Sequence, residues 1–276
     1  MKTHTLLLSL IALAALATNA TAQDPAPAEA APAPEATAAA EPTPEATPDA
    51  TMTDKELEFR LTMYTWFSSL TNSVAVRNRD ETVTDIPFSD IFDALDFANF
   101  AHMEVQKDKW ILFSELDFIK LSDNAEFRRR GGIPFKIGAD LALKQTTAEL
   151  GVMRSFEGKR VALDALLGAR YFRIDSDVHV GPLGSAVTKD WVDPMIGARL
   201  RLNLSEKWNA SLRADFAGFG TGSELTTNAI AVVSYKISDR YDVGFGYRYM
   251  DIDYESSALK IDMETYGPVI GMGIRF

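Results

Sequence analysis

Tyr266-Gly267-Pro268-Val269-Ile270-Gly271-Met272-Gly273-Ile274-Arg275-Phe276, the last eleven residues, decide the reading of the chain. Counted back from the carboxyl end, Phe276, Ile274, Met272 and Ile270 share one face of a strand. Arg275, Gly273, Gly271 and Val269 share the other. Successive side chains of a strand point to opposite faces, so this is a period-two pattern. One face is greasy and the other small or polar, which is what a lipid-facing barrel strand needs.

The same arrangement recurs upstream. Tyr241, Val243, Phe245, Tyr247 and Tyr249 oppose Gly244, Gly246 and Arg248; Val192, Ile196, Ala198, Leu200 and Leu202 oppose Gly197, Arg199, Arg201 and Asn203. An all-β sandwich also alternates, but arginines turned into its middle would be very costly. Against a wet or ion-paired lumen they are ordinary. Four short charged turns each lead into a strand and are flanked by an aromatic residue: Lys107–Trp110, Glu157–Arg160 (after Phe156), Ser205–Trp208 and Ser238–Tyr241. Trp and Tyr favour the water–lipid boundary, so these read as periplasmic hairpins, and the longer polar connections read as outer loops. The expected fold is an all-β, antiparallel, up-and-down transmembrane barrel of about 10 strands, with 8 or 12 as alternatives. The strands fall near 57–69, 98–107, 110–121, 139–156, 160–175, 190–204, 208–218, 226–237, 241–254 and 264–276. The even count puts both termini in the periplasm. In the first outer connection, Val74-Ala75-Val76 and Thr82-Val83-Thr84 suggest a small hairpin. Ser89 to Leu95 then suggests a short helix, N-capped by Ser89, folding over the barrel mouth.

Three domains follow. Residues 1–22 form a signal peptide: Lys2, the apolar run Leu6 to Ala17, and Ala20-Thr21-Ala22 before Gln23. A membrane anchor needs about 18 or more apolar residues, and this run is shorter. Residues 23–52 hold seven of the twelve prolines, eleven alanines, six acids and no Lys or Arg. Such a segment lacks the apolar bulk to offset ordering entropy and is expected to be a disordered periplasmic arm. Its thirty residues reach roughly 90 Å at about 3.1 Å each as polyproline II, a spacer or a contact to peptidoglycan. Residues 53–276 form the barrel.

The end of the chain resembles the C-terminal assembly signal of bacterial outer-membrane β-barrels, matched at Gly271, Ile274 and Phe276 and departed from at Val269, where a polar residue is usual. That resemblance implies the barrel assembly machinery as a partner. Trp191 to Arg199, Leu212 to Gly220, Gly246 to Tyr249 and Phe88 to Phe97 are similar to a family of uncharacterised proteobacterial outer-membrane barrels, small porin-like proteins of the outer-membrane-protein-A type. It implies a fold and a cell outer membrane, with no known catalytic or binding residues.

Composition removes several classes of function. There is no cysteine, hence no disulfide, thiolate metal site or lipid-modified cysteine. The formal charge of -11 argues against nucleic acid. With three histidines in the precursor, no metal or cofactor is expected. The informative pattern is the lumen face. Alternation turns His102, Glu104, Glu115, Asp117, Glu149 and Asp164 inward from one run of strands. It turns Arg60, Arg199, Arg201, Arg213 and Arg248 inward from the others, with Arg170 and Asp215 as exceptions. Alternation slips between Lys144 and Glu149, where a bulge would change the side of Glu149. The walls are close enough to give a salt-bridged plug, and the alternative is a small passive pore. A more remote alternative is a rim-active hydrolase. The ten-stranded omptin proteases use an Asp/His pair and an Asp pair at the outer rim, but here His102 lies toward the periplasmic turn. His179, beside Asp175 and Asp177, reads as solvated. Gly218-Phe219-Gly220-Thr221-Gly222 reads as an outer turn, not a phosphate loop. Arg128, Arg129 and Arg130 form a basic patch suited to lipopolysaccharide phosphates.

Overall fold

The computed structural model describes residues 57–76, 82–128, 136–180, 183–255 and 259–276. The signal peptide, the Pro/Ala-rich arm, Arg129, Arg130 and the side chain of Arg128 lie outside the described residues. The chain opens with β1 (Glu58–Trp66), β2 (Ser69–Val76), β3 (Thr82–Ile86), a helix α1 (Phe88–Asp93) and β4 (Leu95–Lys107). There follow β5 (Trp110–Arg128), β6 (Lys136–Glu157), β7 (Val161–Val180) and β8 (Leu183–Asn203). The chain closes with β9 (Trp208–Gly218), β10 (Leu225–Lys236), β11 (Tyr241–Glu255) and β12 (Leu259–Arg275).

Ten of these strands, β1 and β4 to β12, form a closed antiparallel barrel in which β1 pairs β4 on one side and β12 on the other. The closing seam runs from Arg60↔Arg275 to Trp66↔Val269. One end of the barrel, called here the terminal end, carries the start of β1, the end of β12 and the four short turns. The other is the loop end. The strands β6, β7 and β8 have 22, 20 and 21 residues, about twice the 9–11 needed to cross a bilayer, so they project well past it.

The barrel is inside out relative to a soluble protein. Leu167, Phe245 and Ile270 are 62%, 65% and 52% exposed, while Asp164 and Arg170 are 0% exposed. Large apolar side chains ring the outer surface of every wall strand, far beyond what a water-soluble monomer shows. Such a belt, with charges buried inside it, fits lipid outside and a polar lumen. Among the described residues no helix is long and apolar enough to cross a membrane.

Three details depart from the sequence-based expectation. First, the wall breaks at Phe67-Ser68, and the chain continues as β2 along the loop-end half of β12, from Ser69↔Tyr266 to Leu259↔Val76. The strand β3 pairs β2 on its far side, so the expected hairpin is longer and forms part of the wall. Gly267 allows the break: a Cβ there would strike the Phe67 carbonyl oxygen. Second, α1 begins at Phe88 with Pro87 as N-cap and no side-chain cap bond; Ser89 lies inside the first turn and bonds Asp90 Oδ1 (3.1 Å). The Phe88 amide donates instead to Ser69 Oγ (3.1 Å), and the Phe88 ring lies 5.5 Å from that of Phe67. None of the helix residues is buried, and these contacts hold α1 beside the wall break. Third, the register of β6 against β5 is unbroken through Lys144 and Glu149. Glu149 therefore faces the lumen with no bulge. The apparent slip arises because the inward face turns from polar (Glu149, Thr147, Gln145) to apolar at Leu143, beyond the charged layer.

Candidate functional site: a charged layer across the lumen

Strand register lines up the inward residues in rows. One row reads His102↔Glu115↔Glu149↔Arg170↔Asp193 across β4 to β8. Glu115 and Glu149 stand directly opposite each other, which like charges do not tolerate alone. Arginines from the far wall and from the neighbouring strand β7 resolve the conflict. Arg213 on β9 donates to Glu115 (3.2 Å) and Glu149 (2.5 Å) and pairs with Asp215 (2.9 Å). Arg170 donates to Glu149 Oε1 (2.8 Å) and Asp215 (2.5 Å). Arg248 on β11 pairs with Glu115 (3.0 Å), donates to Asp117 (2.9 Å), and donates to Asn228 (3.0 Å). Asn228 in turn donates to Asp215 (2.9 Å). Toward the terminal end, Arg199 bonds both Glu104 and Asp164, and Arg201 donates to Asp164 (2.8 Å) and Ser155 (2.9 Å).

His102 joins the two levels. Its Nε2 lies 2.9 Å from Glu104 and its Nδ1 lies 3.2 Å from Glu115. Carboxylates only accept, so both ring nitrogens must donate, which requires the imidazolium form. Six carboxylates (Glu104, Glu115, Asp117, Glu149, Asp164 and Asp215) thus face five arginines and one cationic histidine. The thirteen lumen groups named from the sequence lie on the inner face. Twelve of them form this one layer, and Arg60 stands apart beside Asp242.

Four participants escaped the sequence reading. Tyr64 looks like a boundary aromatic, yet its hydroxyl donates to Glu115 (2.6 Å) or Asp117 (2.9 Å) and accepts from Arg248 (2.6 Å). Asp242 directly follows the charged turn Ser238–Tyr241. It is in fact buried between Arg60 (2.7 Å) and Arg275 (3.2 Å), which face each other across the seam. Asn228 and Asp193 are the others. Parity was the available signal, since Asp242 shares its face with Gly244 and Arg248. Asp193 is fully buried and accepts from the Ser223 amide (2.9 Å), Ser223 Oγ (2.6 Å) and Trp191 Nε1 (3.2 Å). It ties down the loop-end glycine turn, where Gly218, Phe219 and Gly220 have φ of 98°, 55° and 75°. Only glycine adopts that region without cost, which explains Gly218 and Gly220, while Phe219 between them holds the left-handed conformation at some cost.

An apolar layer lies directly on the loop-end side of the charges: Trp66, Phe100, Phe172, Met250, Ile252 and Val269, with Trp191 and Met263 against it. The Arg248 guanidinium stacks over Trp66 at 4.8 Å. A second cluster, including Ile111, Phe113, Met153 and Leu166, fills the lumen beside β5 to β7. The opposite wall carries Ser211, Ser234, Gly244, Gly271 and Gly273, and there a cavity of about 1130 Å³ opens at the terminal end.

The histidine at the rim differs. His179 and Asp177 lie 3.1 Å apart on the outward face of β7, with side chains 57% and 52% exposed. Beyond the girdle pair Tyr249↔Tyr266, the outward acids Asp251, Asp253, Asp262 and Glu264 crowd together. Burial, then the charges of Asp262, Glu264 and Asp253, push the Asp251 carboxyl up to about 6. A raised carboxylate binds its proton more tightly folded than unfolded. Its penalty is therefore full above about pH 6 and lifts as pH falls toward the ordinary value near 3.9. Asp251→Asn is expected to raise the unfolding temperature at pH 7.5 and to make little difference at pH 4.5. Equal gains at both pH values in thermal unfolding would refute this.

No protein-family model matches the chain, and no curated protein matches it in sequence. The solved structure of the outer membrane protease OmpT from Escherichia coli is similar, with a TM-score of 0.52 at 10% identity, over 81% of this chain and 98% of that one. The fold is that of an outer-membrane β-barrel. More remote are the translocator domain of the autotransporter NalP from Neisseria meningitidis (TM-score 0.42, 12% identity, 82% and 90% covered) and Ail of Yersinia pestis (0.34, 12%, 80% and 100%). At such identities the likeness concerns fold and carries no activity.

Proposed function

We propose that this chain is a closed, structural barrel of the Gram-negative outer membrane, with both termini and the short turns in the periplasm and the long strands projecting outward. The observation that carries the reading is the stack of a charged layer and an apolar layer at mid-lumen. Arg170, Arg248, Glu149 and Asp215 are all but inaccessible there, with side chains 0–1% exposed. A buried ion network of this density supports a lumen without a continuous water path between the two ends. The partners implied are outer-membrane lipid and lipopolysaccharide, the assembly machinery acting through Gly271, Ile274 and Phe276, and peptidoglycan through the arm.

The reading is also non-catalytic. His102 has both nitrogens committed to carboxylates and has none left to take a proton from a substrate. The His179–Asp177 pair is more than half exposed, at an open cavity of only about 260 Å³ that it shares with Asp140 and Ala142. The resemblance to OmpT, a protease, is one of fold at 10% identity. Planar-bilayer recording is the test. Purified protein is expected to give no steady single-channel steps over a range of salt, and regular steps would establish a pore instead.

A further inference from the structure

The cavity at the terminal end has a wall that the closed-barrel reading does not use. Arg60, Arg201, Arg275 and Lys236 line it with side chains between 32% and 35% exposed. Their carboxylate partners inside the lumen lie behind them: Asp242 is 3% exposed and Asp164 is 0%. Each of these two carboxylates serves two guanidinium groups, Asp242 with Arg60 and Arg275, and Asp164 with Arg199 and Arg201. Among the described residues Lys236 pairs with Asp239, which stands in solvent on a turn. Acids are therefore at the back of the wall and cations at the front. The deep acids of the cavity, Glu104 and Glu115, are already held by Arg199, Arg213, Arg248 and His102. Glu157 and Glu206 stand out at the mouth turns.

The two arginine pairs also face each other. In the ring of ten strands, β8 stands five strands from β1, on the opposite wall. A ligand entering between them meets guanidinium groups on both sides, and a planar guanidinium offers paired donors that match carboxylate and phosphate oxygens. The floor is closed by the charged layer, and the small residues of β9 to β12 leave the room.

We propose that this vestibule is a binding site for a small multivalent oxyanion, phosphate- or carboxylate-bearing, held between Arg60 and Arg275 on one wall and Arg201 on the other. The proposal rests on the closed-lumen reading only for the side of entry, so binding and conductance fail separately. The experiment uses the full chain in detergent micelles with pyrophosphate and citrate as probes, at ionic strength held constant with chloride. Either probe is expected to raise the unfolding temperature saturably. It should also slow phenylglyoxal labelling of Arg201 and Arg275 at least fivefold, read by peptide mass spectrometry. Arg173, outward-facing at the loop end, should label at an unchanged rate. The double variant Arg201→Gln/Arg275→Gln should weaken the apparent affinity at least tenfold. Protection by pyrophosphate alone would narrow the ligand to phosphate, and protection by both would keep the wider class. Overturning results are a response no larger than that to chloride, or equal slowing at Arg173. The labelling arm needs no variant and holds even where the double variant does not fold.

Discussion

Arg213→Ala is expected to lower barrel stability by about 3–5 kcal/mol, the usual cost of stripping one partner from a buried ion cluster. The physical reason is the register. With Arg213 gone, Glu115 and Glu149 remain in direct cross-strand opposition, and Asp215 loses one of its two cations. These groups sit where water does not reach, so the vacated charge is not rehydrated. The second substitution Glu149→Gln should restore part of the loss, because it removes one of the opposed charges while Arg170 keeps Asp215. A coupling of roughly 0.5–3 kcal/mol is expected for neighbours in one network. The control is Lys120→Ala with Asp96→Ala, an outward pair 2.7 Å apart with side chains 40% and 35% exposed. Such a pair is worth about 0–1 kcal/mol. Unfolding of single and double variants in lipid vesicles decides the question. Additive, near-zero losses at Arg213 and Glu149 would mean a hydrated lumen and would remove the ground for the closed barrel.

Gly271→Val should abolish closure. Gly271 lies opposite Tyr64 on the seam between β1 and β12, and a Cβ there would stand 2.7 Å from Tyr64 Cβ and 2.8 Å from the Met63 carbonyl oxygen. The clash is with backbone and with the stem of a side chain whose hydroxyl is anchored across the lumen by Arg248 and Glu115. Tyr64 cannot step aside without breaking those bonds. The heat-modifiable folded band on gels should fall at least tenfold, while Ile270→Val, on the lipid face of the same strand, should leave it unchanged. A folded band of normal intensity for Gly271→Val would show that the seam has slack that this geometry denies.

Much of the architecture was legible one residue at a time. Whether a side chain faces lipid or lumen depends on parity along a strand, a local property. The alternation around Arg248 and Arg199 therefore gave the barrel, the ten-strand ring and the inward charges directly. The short turns were legible for the same reason, since two or three charged residues beside an aromatic act locally. The wall break at Phe67-Ser68 was not, because Gly267 makes room for it from another strand two hundred residues away. Partner choice was equally out of reach. Arg213 meets Glu115 and Glu149, and Tyr64 meets Arg248, only because closure and stagger bring distant strands face to face. Asp242 shows the limit most plainly: its parity was readable, yet its role follows from Arg60 and Arg275 converging on it at a seam that exists only once the first strand meets the last. Local sequence assigns each residue a side, and only the closed ring, with its particular register, assigns each charge a partner.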